Sequence, residues 1–428
     1  MMEYDLNLLA SHSATLAKES QLIAEKLRAS DRNRDRKRVL VACTQRDSFV
    51  PALLGAWQAG FVVELPRAQG PRPEGVLVLH DEDGAPGIDV RAARAEVASH
   101  TPSSLRRLRA DERLVSVPAL GLHRTAEQLL GEVDALAKAF AAMPLTFLST
   151  VSPFDLHGLL FGVLLPLLRC GLPSGAVAIS PDDVAASLAT HDGSFLVATP
   201  EHLRLFVEAT MPRGISVISC GAPLPPDLQL ELVFRHRWTV HDVFGSPATG
   251  SVATRTSPLS HWKPLPGVTV RADADGQMVT ASPWAPETRL LDRIRVDEDG
   301  TFEHVPTPTS YEDAGNARFE IEETATPHEF RMVVPRDCVF FRGHFEQLAL
   351  LPAVVQLSRI AMPLVRRSWD DLGSLQRLRR ARFRRPIFPG QELLVKLTRT
   401  DQKVRFDILV GGAAAASGTF EFEVGTKR

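Results

Sequence analysis

The residues best suited to chemistry lie in the last quarter of the chain. His344 stands in the run FRGHFE, and an apolar segment with helical spacing begins eight residues later at Pro352. An imidazole can accept and return protons near neutral pH. A helix N-terminus offers free N–H groups and the positive end of a dipole to a carbonyl oxygen that gains negative charge. Proton transfer beside a carbonyl group needs residue types of this kind.

Two long motifs surround these residues. The first is VFFRGHFEQLALLPAVVQLSRIAMPLVRR, and the second, about 40 residues further on, is RARFRRPIFPGQELLVKLTR. Both resemble the FabZ/FabA-type 3-hydroxyacyl-carrier-protein dehydratases, and the run VVQLS resembles the branch from aryl-polyene pigment pathways. The resemblance implies an α+β hotdog domain over residues 311–428, in which antiparallel strands wrap around a central helix.

The resemblance also implies roles for individual residues. His344 matches the family's catalytic base, and Gly343 and Ala353 stand where backbone N–H groups approach the thioester oxygen. The positions that match the substrate-binding part of the family are Phe345, Pro352, Val354 and Phe383.

The second catalytic position departs from the family. Fourteen residues after the histidine, where the family has Glu or Asp, this chain has Ser358, and a hydroxyl supplies a proton less readily than a carboxylic acid. In one interpretation His344 acts as both base and acid while Ser358 orients a water molecule. In another, a carboxyl group such as Glu346 or Asp337 substitutes. In a third the site is inactive and His344 is a structural residue at a turn.

The preceding part of the chain alternates short apolar strands with helices, which predicts parallel sheets covered by helices. Four stretches resemble the AMP-binding, adenylate-forming acyl-CoA synthetases. They are ALLGAWQAGFVVELP (52–66), FLSTVSPFDLHGLLFGVLLPLLRCG (147–171), ISCGAPLPPDL (218–228) and HDVFGSPATGSVATR (241–255). The resemblance implies an α/β adenylate-forming-like domain over residues 1–310.

The residues for ATP chemistry are largely missing from this domain. The family's phosphate loop is replaced by LVSVPALGLHRT (114–125), which has one glycine and no lysine, and Ala248 replaces the glutamate that helps to hold Mg-ATP. Asp292 is the counterpart of the aspartate that contacts ribose. A triphosphate would lack its main electrostatic stabilisation here. We therefore interpret this half as a pseudo-adenylation domain that uses neither ATP nor Mg²⁺.

His157 follows Asp155 by two residues. It lies in the segment that, in the synthetases, carries a histidine near the acyl pocket. Two interpretations stay open. A lone histidine beside a buried helix is more often a structural hydrogen-bonding group. If a pocket is retained, it would bind an acyl chain or a pantetheine arm.

Charge is unevenly distributed along the chain. From Asn316 onward there are 19 Lys and Arg against 13 Asp and Glu, whereas the preceding part has 30 against 38. In LRRARFRRP (378–386), strand alternation predicts that Arg380, Arg382 and Arg384 share one face. This face could dock an acyl carrier protein with its phosphopantetheine, or it could be a strand edge protected by charge. Stacking aromatic residues do not accompany the arginines, which argues against nucleic acid.

The remaining features exclude several classes of protein. The four cysteines form no CxxC or CxxH pattern, so neither a zinc site nor a disulfide framework is predicted. The N-terminus has no signal-peptide pattern, and the apolar run 156–168 is too short to span a bilayer. We expect a cytoplasmic homodimer or heterodimer that dehydrates 3-hydroxyacyl chains on a carrier protein. The alternatives are a non-catalytic subunit of a synthase, an ATP-dependent ligase and a hotdog thioesterase.

Overall fold

The computed structural model describes residues 3–11, 13–30, 37–66, 76–101, 104–117, 121–141, 146–169, 180–190, 194–246, 248–305, 319–336, 339–341 and 350–424. The predicted domain boundary at residues 310/311 lies outside these ranges. So do five of the residues singled out in the sequence, which are Asp337, Gly343, His344, Phe345 and Glu346.

The N-terminal part begins with a mainly parallel sheet. The strands of this N-terminal part, in chain order, are β1 (Glu3–Asp5), β2 (Arg38–Val41), β3 (Val62–Glu64), β4 (Leu77–His80), β5 (Ile88–Asp89), β6 (Arg107–Arg109), β7 (Arg113–Val117) and β8 (Leu122–Thr125). Its helices are α1 (Leu6–Ala10), α2 (Ala14–Ser30), α3 (Arg46–Ala59), α4 (Arg91–Glu96) and α5 (Ala126–Ala139). The described strands are ordered β5-β4-β2-β3-β7-β8, with only the β7–β8 pair antiparallel, and β1 pairs separately with β6.

Local sequence signals explain where these helices begin and end. Helix α3 ends at Gly60, which adopts the left-handed conformation (φ 83°) that a glycine allows without a Cβ clash. Helix α5 begins with a reciprocal capping box between Thr125 and Gln128. Both signals are visible in the sequence itself, as a glycine after an apolar helical stretch and as the pair Thr-x-x-Gln before one.

A second mainly parallel sheet follows, and a small antiparallel sheet is appended to it. The strands are β9 (Thr146–Ser149), β10 (Ser194–Ala198), β11 (Ser216–Ser219), β12 (Thr239–Ser246), β13 (Gly250–Arg255), β14 (Lys263–Pro264), β15 (Thr269–Ala272), β16 (Gln277–Ser282), β17 (Ala285–Val296) and β18 (Phe302–Val305). The helices are α6 (156–168), α7 (Pro181–Ala189), α8 (Pro200–Val207) and α9 (Pro226–His236). Strands β9 to β12 are parallel, in the order β14-β13-β12-β11-β10-β9, and β15 to β18 form the antiparallel sheet.

The C-terminal part is an antiparallel sheet with one long helix. Its elements are β19 (Ile321–Glu323), β20 (Glu329–Val333), α10 (353–368), β21 (Leu372–Phe383), β22 (Glu392–Thr400), β23 (Lys403–Val410) and β24 (Ala413–Val424), and a short 3-10 turn lies at Val339–Phe341. The described strands are ordered β19-β20-β22-β23-β24-β21. The apolar side chains of α10, among them Leu357 and Ile360, are buried with those of the sheet. This arrangement is the predicted α+β hotdog architecture.

Pro363 does not end the central helix, although a proline inside a helix commonly kinks or stops it. The helix continues to Ser368, and the segment Gln356–Ala361 just before the proline is π-helical. Proline lacks an N–H and its ring clashes with the preceding turn of a regular α-helix. A π-helical turn widens the backbone at this point, so the chain can pass the proline and remain helical.

The hotdog sheet and the second parallel sheet share one hydrophobic cluster. It contains Phe206 and Leu203 from α8, Trp238 just before β12, and Leu364 and Leu375 from the hotdog domain, all fully or almost fully buried. The two parts of the chain are therefore packed on each other and do not stand as separate units. No helix of the described residues is long and apolar enough to cross a bilayer.

Candidate functional site

The N-terminus of α10 is built to leave backbone N–H groups without a side-chain cap. Pro352 is the N-cap residue (φ −56°, ψ 144°), and its side chain has no hydrogen-bonding atom. Leu351 is fixed on both sides, because its N–H donates to Ile387 O at 2.9 Å and its carbonyl accepts from Gln356 Nε2 at 3.0 Å. Ala353 is exposed and begins the helix. This end of the helix can therefore present N–H groups to a carbonyl oxygen.

Ser358 lies five residues after Ala353 in the same helix and faces the N-terminal domain. Its side chain is buried, and its hydroxyl donates a hydrogen bond to the carboxylate of Glu201 on α8. A serine hydroxyl has one proton. While it is bonded to Glu201, Ser358 can only accept hydrogen bonds from other groups.

Glu201 is a buried carboxylate, 5% exposed, that also binds Arg359. The Nε of Arg359 lies 2.8 and 2.9 Å from the two carboxylate oxygens, and its Nη2 lies 2.6 Å from Oε1. The guanidinium of Arg359 is placed over the ring of Phe340, 5.3 Å from the ring centroid. Arg204, one turn after Glu201 on α8, lies nearby, and burial together with the charge of Arg359 lowers its pKa.

A second ion pair joins the same two helices. Glu208 accepts from Nε of Arg366 at 2.8 Å, and each partner is seven residues further along its helix than Glu201 and Arg359. The equal offset means that α8 and α10 run side by side in the same direction. The backbone contributes as well, since Leu375 N donates to Glu208 O at 2.6 Å and Thr210 N donates to Leu375 O at 3.2 Å.

Arg380, Arg382 and Arg384 do not all share one face of the strand, so this prediction is wrong. Arg380 has a positive φ of 52°, and the pairing of β21 with β24 shifts between Arg379 and Arg382. This bulge inserts one residue, so Arg379 (opposite Thr419) and Arg382 (opposite Ser417) share a face. Alternation along an uninterrupted strand cannot hold across a bulge.

The arginines around the bulge are nevertheless exposed. Arg380, Arg382 and Arg385 are exposed to solvent and form no ion pair with any described residue, whereas Arg379 pairs with Glu421. Arg384 is held by a hydrogen bond from Nη1 to Ser417 Oγ at 3.0 Å. Phe383, predicted to line the substrate site, lies in the same stretch and is 39% exposed.

The segment 114–125, at the place of the synthetases' phosphate loop, contains the antiparallel strands β7 and β8. In the later motif, Ser246 and Thr249 bond to each other through both hydroxyls and backbone N–H groups, and Ala248 is exposed. Asp292 lies on β17, with Oδ1 3.6 Å from Nδ1 of the buried His304. Residue 248 therefore offers no carboxylate to a metal ion, and the hydroxyls of Ser246 and Thr249 are bonded to each other.

His157 lies in a polar region at the ends of β9 and β11. Its Nδ1 is 3.3 Å from Oδ1 of Asp155, which also accepts from the His157 backbone N–H and so caps α6. Burial lowers the pKa of His157, but the carboxylates of Asp155 and Glu132 outweigh burial and the net pKa is raised. Burial raises the pKa of Glu132, whose Oε1 accepts from Ser251 N at 2.7 Å. Both interpretations of His157, as a structural group and as part of an acyl-binding pocket, stay predictions.

Sequence reasoning missed Glu201. In the sequence it is one acidic residue of an amphipathic stretch, and 157 residues separate it from Ser358. Nothing in a single sequence links the two positions, since the contact depends on how two domains pack. The one available signal was negative, namely the absence of a carboxylic acid at Ser358.

The chain is similar to known proteins in both of its parts. A family model described as ApeI-like, ApeI dehydratase, matches residues 320–419. A 4-coumarate–CoA ligase from Rhodobacter capsulatus is 29% identical over 169 residues, which cover 38% of this chain and 43% of the ligase. The match therefore spans less than half of that relative's length.

Solved structures of adenylate-forming enzymes share the fold. Unliganded o-succinylbenzoate coenzyme A synthetase (MenE) from Bacillus subtilis superposes with a TM-score of 0.59 at 14% identity, covering 79% of this chain and 87% of that one. ATP-bound MatB from Rhodopseudomonas palustris gives a TM-score of 0.58 at 15% identity, covering 78% and 86%. The chain thus joins an N-terminal domain of the adenylate-forming, acyl-CoA ligase-like fold to a C-terminal ApeI-like dehydratase domain.

Proposed function

We propose that this protein removes water from a 3-hydroxyacyl thioester carried on an acyl carrier protein and releases the trans-2-enoyl thioester, in fatty-acid or polyketide-like synthesis of the aryl-polyene type. The observation that carries the proposal is the ApeI dehydratase match over residues 320–419, a span that includes His344 and the whole central helix. The uncapped N-terminus of α10 supports it, because the thioester oxygen needs N–H donors as C2 loses its proton.

In the proposed reaction His344 takes the proton from C2. The C2 electron pair then forms the C2–C3 double bond, and the C3 hydroxyl leaves as water with a proton returned by His344. The N–H groups at Ala353 and its neighbours hold the thioester oxygen. Ser358 accepts a hydrogen bond from the leaving hydroxyl or from a water molecule, since its own proton is donated to Glu201. This assignment develops the interpretation in which one histidine is both base and acid.

The adenylate-forming domain, in this proposal, supports the hotdog domain and does not activate an acid with ATP. The mutual hydrogen bonds of Ser246 and Thr249 and the exposed Ala248 support this view. Its extensive contacts with α10 and β21 give it a structural task. Pairing with a second hotdog domain, in a homodimer or a heterodimer, stays a prediction.

Mass spectrometry of the acyl carrier protein tests the proposed function. Incubation of the full chain with 3-hydroxyacyl carrier protein is expected to reduce the mass of the acyl group by one water. Release of free acid would instead indicate a thioesterase, and ATP-dependent release of pyrophosphate would indicate a ligase. An unchanged substrate, with the protein alone and with partner proteins of a synthase, would contradict the proposal in favour of a non-catalytic subunit.

Arg382 is expected to help dock the carrier protein. It is exposed beside Arg380 and Arg385, and acyl carrier proteins are acidic. Arg382→Glu should raise KM for the carrier-bound substrate by roughly tenfold at low salt and less at high salt, because exposed charges are screened. The KM for the same acyl group on coenzyme A should change less. Equal effects on both substrates would contradict docking at this surface, and Lys403→Glu, whose lysine already pairs with Glu421, is the matched control.

A further inference from the structure

Glu201 links the adenylate-forming domain to Ser358 and Arg359 on the central helix of the hotdog domain. We propose that Glu201 is a positioning residue of the dehydratase site, which acts through Arg359 and Phe340. The inference rests on the proposed function, and it assigns a role in dehydration to a residue outside the dehydratase domain.

The contact between Glu201 and Arg359 is a buried, two-point ion pair. Both carboxylate oxygens accept from the guanidinium, at 2.6 to 2.9 Å, and the two side chains are only 6% and 10% exposed. A planar guanidinium held at two points by a carboxylate has a fixed orientation as well as a fixed position. Glu201 therefore determines where the plane of Arg359 lies.

Arg359 in turn contacts the aromatic ring of Phe340. The guanidinium lies 5.3 Å from the centroid of the Phe340 ring, within the range of a cation–π interaction. The Phe340 ring also stacks on Phe319, with the ring centroids 6.2 Å apart and an interplanar angle of 22°. Phe340 belongs to the turn Val339–Phe341 and precedes His344 by four residues. A change in Arg359 therefore reaches Phe340 and its turn, which His344 follows in the sequence.

The carboxylate of Glu201 also fixes Ser358. Its hydroxyl donates to Glu201, so the acceptor lone pairs of Ser358 point away from this bond. One buried group thus orients two consecutive residues of the central helix. Removal of its charge would disturb both together.

The molecule supplies a matched control in Glu208. Glu208 and Arg366 form the same kind of interdomain ion pair between the same two helices, at 2.8 Å. Arg366 lies over Phe422 of β24, 5.0 Å from the ring centroid, and not over Phe340. Loss of Glu208 weakens the domain interface without touching the path from Glu201 to Phe340.

The test compares Glu201→Gln with Glu208→Gln in the full chain. Glutamine keeps the size and one acceptor oxygen but removes the charge. Glu201→Gln is expected to lower kcat by about tenfold or more with KM changed less than about threefold, because small misplacements of catalytic groups are costly. It should also speed hydrogen exchange in the peptide spanning residues 336–351. Glu208→Gln should leave kcat and this exchange within about twofold of the wild type. If Glu201→Gln folds poorly, Arg359→Lys keeps the charge, loses the two-point contact and should give the same pattern.

The two readouts separate the possible failures. Similar effects of the two glutamine variants on kcat and on exchange would overturn the inference, because Glu201 would then only join the domains. Unchanged kcat and exchange in Glu201→Gln would overturn it too. If the wild type does not dehydrate the carrier-bound substrate, the proposed function fails. Hydrogen exchange in residues 336–351 then decides alone whether Glu201 has the positioning role. Faster exchange confined to Glu201→Gln and Arg359→Lys would then support it.

Discussion

Replacement of His344 by alanine is expected to lower kcat for dehydration by roughly 10²- to 10⁴-fold, the usual contribution of a general acid–base residue. The loss should be at the high end because the other groups near the site are poorly placed to compensate. Ser358 donates its only proton to Glu201, and both oxygens of Glu201 already accept hydrogen bonds. The measurement is single-turnover formation of the enoyl carrier protein.

The pH profile of the wild type gives an independent check on the same assignment. If His344 serves first as base and then as acid, kcat/KM should rise with pH through the histidine pKa and then stay level. A separate acid would add a falling limb at higher pH and give a bell-shaped profile. Glu346→Gln and Asp337→Asn are the matched controls, each expected to keep kcat within about threefold. A bell-shaped profile with a large loss in one of these variants would assign the acid to that residue.

Introduction of glutamate at Ser358, the residue type expected from the dehydratase family, should destabilise this protein and not improve it. The new carboxylate would be buried beside that of Glu201, with Arg359 shared between them. An uncompensated buried charge costs about 3–5 kcal/mol of the free energy of unfolding. Guanidinium unfolding of Ser358→Glu should show this loss as a lower midpoint.

Ser358→Gln separates the effect of charge from the effect of size, because glutamine has the shape of glutamate. We expect Ser358→Glu to be less stable than Ser358→Gln in the wild-type background. The difference should shrink when Glu201 is also changed to Gln, since repulsion between two carboxylates is then absent. A difference of the same size in both backgrounds would show that Glu201 does not interact with residue 358 as the hydrogen bond implies.

The sequence predicted the architecture because its signals are local. Gly60, the capping residues Thr125 and Gln128, and the apolar spacing of the central helix each act within a few residues, and the structure agrees with all of them. The hotdog fold and the adenylate-forming fold were predicted from motifs that occur in the order expected for each family. These features do not require knowledge of how distant parts of the chain meet.

The errors arose where local rules were overridden. Strand alternation failed at Arg380 because a residue with a β-carbon takes a positive φ in the bulge, and no glycine or asparagine marks the position. Pro363 did not stop the helix because a π-helical turn precedes it. Glu201 could not be foreseen, because its partners are supplied by tertiary packing across 157 and 158 residues.

The shared core of the second parallel sheet and the hotdog sheet has a consequence for how the two domains are joined. Interfaces between obligate subunits resemble a domain core cut in half and include a large apolar area. The surface between these two domains has this character, with α8 and α10 aligned and Leu375 buried between backbone contacts from Glu208 and Thr210. The covalent link therefore fixes the ratio of the adenylate-forming-like domain to the ApeI-like dehydratase domain at one to one, and it holds α8 against α10 within one chain.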